Sequence, residues 1–461
     1  MTLIKSISGI RGTIGGSIEN NLTPIDAVNF GCAYAKWLIK KKSNSKNKVI
    51  IGRDARVSGK MIQNLVQSSL LSMGINVIDL GLSTTPTVEL MVKKYNADGG
   101  IIITASHNPK EWNALKLLNK NGEFLNSDEG EEVIDFYEKK KFKFSKVNKL
   151  GTLSKLKNSI NQHIKSVLNL ELVKTKKIKS KKLKIVVDAV NSTGGIIIPK
   201  LLKKLNIDVV ELYCNPNGDF PHNPEPLKKN LKDLSQKVTE CGADMGIAVD
   251  PDVDRLVFMC ENGEIFGEEN TLVACADYVL SKTPGSTVSN LSSSIALRDI
   301  TKKHNQSHFY SAVGEVNVVE KMKKVNAVIG GEGNGGVIYP ESHYGRDAIV
   351  GIGLFLSLYC ERNLSLSKLI ETYPKYFMVK QTINLSNSIN IDEVINRIKK
   401  EYKNENIDCV DGVRIDFKKS WVQIRKSNTE PIIRVYSEAI NKEKANDLIS
   451  VIESLIKDII N

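Results

Sequence analysis

A series of α/β units closed by a smaller α+β unit is the fold class that the sequence predicts. Strand-like apolar runs alternate with helical spacing up to about residue 370, which is the pattern of layered α/β domains. The stretch LKIVVDAVNSTGG echoes VIIGRDARVSG, so the α/β unit is repeated. Beyond residue 373 two long strands lie between amphipathic helices, which changes the class. The 461 residues, 41% of them hydrophobic, exceed what one core usually holds.

The elements follow in order. In residues 1–150, NKVIIGRDAR is a strand running into a turn, and GKMIQNLVQSSLLSMG is a helix stopped by glycine. NVIDLG and GGIIITAS are further strands, and strand and helix in alternation argue for a parallel sheet. A lysine-rich, weakly patterned segment at 139–155 separates this unit from residues 151–256, where LKIVVDAVNSTGG is strand, polar turn and helix. Residues 257–372 open with VFMCENGEIF, a hairpin turning at Asn262-Gly263, and alternate through NAVIGGEGNGGVIY. In residues 373–461, INIDEVINRIKKEY is helical, VRIDFKKSWVQIRKS and IIRVYSEA are strands, and ANDLISVIESLIKDII is an amphipathic helix.

Composition excludes several functions. The net charge of +13 sits largely in lysine-rich stretches such as KKSNSKNK and KTKKIKSKK, which read as solvated surface. No aromatic residues are interleaved there to stack bases, so no nucleic-acid partner is expected. Seven scattered cysteines form no CxxC pair and read as reduced thiols. No run approaches the roughly 18 apolar residues of a membrane span, and MTLIKSISGIRG lacks the apolar core of a secretory signal. A cytoplasmic protein without a membrane partner is expected.

Four loops carry chemistry. AVDPDVDRLVF brings Asp250, Asp252 and Asp254 together from one tight turn, and an all-oxygen donor set selects a hard cation such as Mg2+. A calcium EF-hand loop fails, because its sixth position is Arg255 rather than glycine and LVFMC, which would have to ligate, is a strand. RKSNTEP offers Arg425, Ser427, Asn428 and Thr429 as donors to an oxyanion, although alone it is equally an ordinary polar turn. GGEGNGG follows a strand with Glu332 and Asn334 and lacks the following helix of a dinucleotide fingerprint; Glu332 could accept bonds from sugar hydroxyls. In ITASHNP, Ser106 stands at the carboxyl end of a parallel strand, where open α/β sheets place their ligands. GxSxG is absent, which leaves an acyl hydrolase unsupported. A serine, a carboxylate-held cation and a phosphate-binding loop together point to phosphoryl transfer.

In this order and at these separations, ITASHNP, DPDVDR, GEGNG and RKSNTEP resemble the four signature loops of the α-D-phosphohexomutase superfamily, over essentially the whole chain. The resemblance implies three related α/β domains with mixed sheets and a C-terminal α+β domain around a central cleft. It makes Ser106 a phosphoserine, and makes Asp250, Asp252 and Asp254, with Ser106, the ligands of one Mg2+ per chain. Arg255 would touch the phosphate, Glu332 and Asn334 the sugar hydroxyls, and Arg425, Ser427, Asn428 and Thr429 the non-reacting phosphate. Arg11 in SGIRG would assist near the reacting phosphate, with His107 and Lys116 as acid and base. A hexose 1,6-bisphosphate would be both intermediate and activator, hexose phosphates the partners, and the assembly a monomer or homodimer.

Two departures qualify the resemblance. Ala114 stands in WNALK where the family often has glycine, and Gly336 where some members have histidine. GEGNGG matches neither the GEQSGH of bacterial glucosamine enzymes nor the GEMSGH of mannose/glucose enzymes. It looks more like archaeal-type members and a bacterial subgroup often labelled phosphoglucosamine mutase. The expected substrate is therefore glucosamine 6-phosphate, with mannose or glucose phosphates as the alternative. From another class, a Mg2+-dependent phosphatase or a non-catalytic sugar-phosphate sensor would use the same loops.

Overall fold

The structure, a computed structural model, describes residues 2–6, 9–41, 47–384, 391–426 and 432–460. Ser427, Asn428 and Thr429 lie outside the described residues. The chain divides into two compact units, Met1–Thr271 with Gly335–Leu369, and Leu272–Asn334 with Ile370–Asn461.

The first unit holds two mixed sheets. In the larger, the strands run in the order Ile4–Ser6, Gly9–Thr13, Trp112–Leu118, Gly99–Ile103, Lys48–Arg53, Asn76–Leu82 and Leu153–Lys155. The last four are mutually parallel, as the alternation of strand and helix requires. Trp112–Leu118 instead lies antiparallel to both its neighbours, and Ile4–Ser6 is antiparallel to Gly9–Thr13. The reason is length: residues 104–111 are too few for a crossover of about a dozen residues, so the chain must return as a hairpin. That hairpin connection is ITASHNP. Leu153–Lys155 pairs with Asn76–Leu82, so the first sheet draws on the lysine-rich segment read as a separator and runs past residue 150.

Both faces of this sheet are covered, which is why its strands read as continuous apolar runs. Val49, Ile51, Ile101 and Ile103 face the core beneath helices Pro24–Lys41, Gly59–Ser72 and Ser127–Lys139. Ile50 and Ile102, one position out of phase, pack with Val88, Met91 and Val92 of helix Thr85–Lys94 on the other face.

The second sheet repeats the plan in the order Leu256–Cys260, Met245–Val249, Lys184–Asp188, Asp208–Leu212. Its last three strands are parallel, and Leu256–Cys260 returns antiparallel with Val249 opposite Leu256. VFMC therefore completes the second sheet rather than opening a third unit at 257. The hairpin at Asn262-Gly263 is present, with Met259 bridged to Ile265. The turn between Val249 and Leu256 is the aspartate loop.

In the other unit, Thr287–Asn290 is flanked in parallel by His308–Ser311 and Ile329–Glu332. The C-terminal domain is a five-stranded antiparallel sheet, Phe377–Asn384, Ile432–Ala439, Ser420–Lys426, Val413–Phe417 and Asn406–Asp408. Helices Ile391–Glu401 and Lys442–Ile460 bury Val394, Ile398, Ile449 and Ile452 against it, the expected α+β class. Among the described residues, no helix is long and apolar enough to cross a membrane.

Candidate active site

Ser106 follows strand Gly99–Ile103 and takes a left-handed backbone, φ 49°, which costs a residue with a Cβ on the order of 1–3 kcal/mol. The turn is held by its own amide, which donates to Thr104 Oγ1 at 2.9 Å. Ser106 Oγ donates to Asp250 Oδ2, in the aspartate loop of the second sheet, at 2.6 Å. His107 Nδ1 lies 3.5 Å from the same Oγ. Burial, with the charges of Arg255, Arg11 and Arg346, holds the His107 pKa well below the ordinary value. Its imidazole is held neutral.

Asp250, Asp252 and Asp254 are fully buried, and one oxygen of each lies within 4.8 Å of the others. The loop wraps on itself, with the amides of Asp254 and Arg255 both donating to Asp250 Oδ1 at 3.1 Å. It is tied down from the turn that echoes the GRDARVSG stretch, since Ser192 Oγ and Thr193 Oγ1 donate to the Pro251 carbonyl at 2.7 and 2.8 Å. Thr85 Oγ1 donates to Asp252 Oδ2 at 2.6 Å, and Arg346 Nη2 to Asp254 Oδ2 at 2.7 Å. Among the described residues, Asp252 Oδ1 and Asp254 Oδ1 are buried without a hydrogen-bond partner. Orphaned carboxylate oxygens are costly, and converging ones fit a hard divalent cation such as Mg2+.

The electrostatics agree with that fit. Burial and the neighbouring carboxylates of Asp254 and Asp252 push the Asp250 pKa well above the usual range. Burial acts in the same direction on Asp252, but the Lys116 ammonium and the hydrogen bonds to it hold this carboxyl below the usual range. Three ionised groups this close need positive charge among them.

Lys116 supplies part of it, with Nζ 2.8 Å from Asp252 Oδ2 and 3.5 Å from Asp254 Oδ2. Burial opposes its charge, yet the two aspartates outweigh burial and raise its pKa, so Lys116 is held as an ammonium. Arg11 stands beside it because Gly9–Thr13 pairs with Trp112–Leu118, Arg11 opposite Ala114 and Gly9 opposite Lys116. Only glycine serves at position 9, where φ is 138° and a Cβ would meet the Leu115 carbonyl oxygen at 1.8 Å. Burial and the charge of nearby Arg255 lower the Arg11 pKa, while Asp252 opposes them, so two guanidinium groups share one neighbourhood. Such a pair suits a phosphate.

Sequence reasoning missed several residues that build this site. Arg346 is fixed by its neighbour Asp347, whose Oδ1 accepts the amides of Ile349 and Val350 and so caps helix Ala348–Arg362. Asp347 Oδ2 meets Nε2 of His163 at 2.9 Å and of His343 at 3.1 Å. The segment GDFPHNPEP was also passed over. Its Glu225 holds Arg255 Nη1 at 3.1 Å, and Phe220 lies 5.0 Å from the Arg56 guanidinium. Polar residues beside prolines and glycines in a long loop were the available signal.

His222 anchors this segment, with Nε2 2.9 Å from Asp188 Oδ2 and Nδ1 2.8 Å from the Asn223 carbonyl oxygen. Both ring nitrogens thus face acceptors. Burial opposes a charged ring, but the bond to Asp188 and its charge prevail and raise the His222 pKa. A raised folded pKa means that the pair stabilises fully below the unfolded value of about 6.5 and loses this as pH rises through the folded value. The melting-temperature gap between the parent and His222→Gln is therefore expected to be widest in acid and to narrow above about pH 6.5. A gap that widens with pH would overturn this pairing.

In the other unit, Glu332 ends strand Ile329–Glu332 and is buried, with Oε1 accepting from Asn290 Nδ2 at 2.8 Å and the Gly314 amide at 3.2 Å. Asn334 Nδ2 lies 3.4 Å from Glu332 Oε2, and the Gly333 amide donates to Ser293 Oγ at 2.9 Å. Arg425 lies at the end of strand Ser420–Lys426 opposite Arg434, and its Nε is buried without a hydrogen-bond partner among the described residues. Ser106, His107, Lys116, Arg11, Arg255 and the three aspartates are thus brought together in the first unit. Glu332 and Asn334 are neighbours in the other, which also carries Arg425.

Comparison with known proteins places the chain in a family. The four domains of the phosphoglucomutase/phosphomannomutase family match in order: α/β/α domains I, II and III at residues 3–144, 161–263 and 268–376, and the C-terminal domain at 384–454. The chain is 37% identical over 454 residues to a phosphoglucomutase/phosphomannomutase of Thermococcus kodakarensis, covering 97% of this chain and 98% of that one. It is 34% identical over 458 residues to a probable phosphoglucosamine mutase of Pyrococcus abyssi, covering 98% and 97%. It shares its fold with a crystal structure of a phosphoglucomutase/phosphomannomutase family protein from Burkholderia thailandensis, with TM-score 0.84, 22% identity, and coverage of 99% of this chain and 98% of that one. A chain matched from end to end in both sequence and fold is a member of the phosphoglucomutase/phosphomannomutase family, a phosphohexomutase and hence an isomerase.

Proposed function

We propose that the enzyme interconverts glucosamine 6-phosphate and glucosamine 1-phosphate through a phosphoserine at Ser106 and a 1,6-bisphosphate intermediate. The observation that carries this reading is the 2.6 Å bond from Ser106 Oγ to a buried carboxylate triad with two unpartnered oxygens. A phosphoserine carries a charge of about −2 and cannot rest against such a cluster without a cation. Mg2+ held by Asp250, Asp252, Asp254 and the phosphoserine would neutralise charge on the transferring phosphoryl group.

The residues divide the work. The phosphorus–Oγ bond of Ser106 breaks as a bond forms to the sugar's free hydroxyl oxygen; neutral His107 takes the hydroxyl proton and the Lys116 ammonium gives one to the departing Oγ. The bisphosphate then presents its other phosphoryl group, which returns to Ser106 Oγ as Lys116 recovers the Oγ proton, while His107 gives its proton to the departing sugar oxygen. Arg11 and Arg255 hold the reacting phosphate. Arg425 with Ser427, Asn428 and Thr429 holds the other phosphate, which fits the unpartnered Arg425 Nε, and Glu332 and Asn334 receive the sugar hydroxyls. Seven cysteines without a disulfide support a reducing, cytoplasmic setting.

Glucosamine is supported by the GEGNGG loop and by the relatives named for that substrate. The 37% identity to a phosphoglucomutase/phosphomannomutase favours a second reading, mannose or glucose phosphate. Glucosamine, mannose and glucose 6-phosphates assayed in parallel, each with its 1,6-bisphosphate, are expected to rank glucosamine first in kcat/KM by at least about tenfold. A higher value for mannose or glucose would establish the second reading, and phosphate release in step with substrate loss would make the chain a phosphatase.

A further inference from the structure

Arg56 lies in GRDARVSG, just beyond strand Lys48–Arg53, and its side chain is fully buried. A guanidinium has five N–H donors in a fixed plane, and here all are used. Nε donates to Asp54 Oδ2 at 3.0 Å. Nη1 donates to the carbonyl oxygens of Pro109 at 2.6 Å and Trp112 at 2.9 Å. Nη2 donates to those of Ser106 and Asn108, both at 2.6 Å. Four carbonyls of one loop thus converge on one cation.

The clamp is itself supported. Asp54 accepts from the Arg56 amide at 3.0 Å and from Thr104 Oγ1 at 2.7 Å, and Thr104 Oγ1 receives the Ser106 amide. Phe220 covers the guanidinium, and Gly218 packs so closely on Ala55 that a Cβ there would lie 2.1 Å from its carbonyl oxygen. Both peptide groups flanking the Ser106 Cα are therefore pinned, the amide through Thr104 and the carbonyl through Arg56. A left-handed serine persists only where its surroundings over-determine it. With every donor spent on the loop and on Asp54, Arg56 has none left for a phosphate.

We propose that Arg56 is the positioning residue of the phosphoryl carrier: it fixes the backbone conformation that keeps Ser106 Oγ on Asp250. The proposal rests on the reading of Ser106 as the phosphoserine. A lysine keeps the charge but offers three donors from one point, so Arg56→Lys cannot hold four carbonyls in a plane.

The test is the rate at which Ser106 takes a phosphoryl group from a hexose 1,6-bisphosphate, followed by intact-protein mass spectrometry, together with kcat and KM. Misplacing a reacting atom by about 1 Å costs about 100-fold, so Arg56→Lys is expected to lose about that factor in both rates. KM for the hexose 6-phosphate should stay within about threefold, because no phosphate-gripping residue is touched. Asp54→Asn, which loosens the same clamp, should lose about tenfold in kcat with the same constancy of KM. Circular dichroism of the full chain shows which variants fold. A folded variant with kcat within twofold of the parent overturns the proposal, as does failure of both variants to fold, which would make Arg56 a determinant of folding instead. If the parent takes no phosphoryl group on Ser106, the serine assignment falls and the proposal with it. If the parent does and the folded variants match it, Arg56 alone is misassigned.

Discussion

Ser106→Ala is expected to abolish mutase turnover, with kcat falling by at least about four orders of magnitude, the loss typical of a missing nucleophile. On the proposed mechanism the phosphoserine opens and closes each turnover with the bisphosphate between, and the only serine oxygen found on the aspartate triad among the described residues is Ser106 Oγ, 2.6 Å from Asp250 Oδ2. Intact-protein mass spectrometry after incubation with a hexose 1,6-bisphosphate should show one phosphoryl adduct on the parent and none on the variant. The fold should survive, since alanine pays the same left-handed backbone cost that serine already pays at φ 49°. An alanine variant with the parent's kcat would remove Ser106 from the chemistry.

The two loops that meet at that bond were legible in the sequence for a physical reason. Each is a short polar turn after a buried parallel strand, and each is followed by another apolar run too near for a crossover, so its side chains can only project from the strand end. The same length argument, applied to residues 104–111 and 250–255, would also have given the antiparallel returns of Trp112–Leu118 and Leu256–Cys260. What stayed hidden were residues whose role depends on partners far along the chain. Arg56 closes on carbonyls some fifty positions away, Thr85 on Asp252, Arg346 on Asp254 and Glu225 on Arg255. Nothing in their local spacing distinguishes them from ordinary turn or cap residues. Buried arginines in polar loops were the one clue, because such a charge must be paired. Ser427, Asn428 and Thr429, legible in the loop as donors to an oxyanion and tied to the non-reacting phosphate by the family resemblance, remain a proposal that the described residues do not reach.

Asp252→Asn is the second large effect, and it separates the cation site from the rest of the chemistry. Asp252 Oδ2 accepts from Thr85 Oγ1 at 2.6 Å and from Lys116 Nζ at 2.8 Å, while Oδ1 has no partner. An asparagine of the same shape keeps one carbonyl oxygen, which can satisfy Thr85 and Lys116 or face the cation, but not both. In either orientation an amide hydrogen replaces an acceptor and one negative charge leaves the triad. Mg2+ affinity, read by calorimetry, is expected to fall by at least about 100-fold, and kcat by about 1,000-fold. Without Mg2+ the variant should fold but melt below the parent, because the Asp252 carboxylate is held in its charged form by Lys116 and Thr85 and the amide gives up that pairing. The rise in melting temperature on adding Mg2+ should nearly vanish, since ligand stabilisation grows only with the logarithm of concentration over the dissociation constant. A variant that binds Mg2+ as tightly as the parent and gains the same melting temperature from it would take Asp252 out of the metal site, and with it the reason for three carboxylates to converge on Ser106.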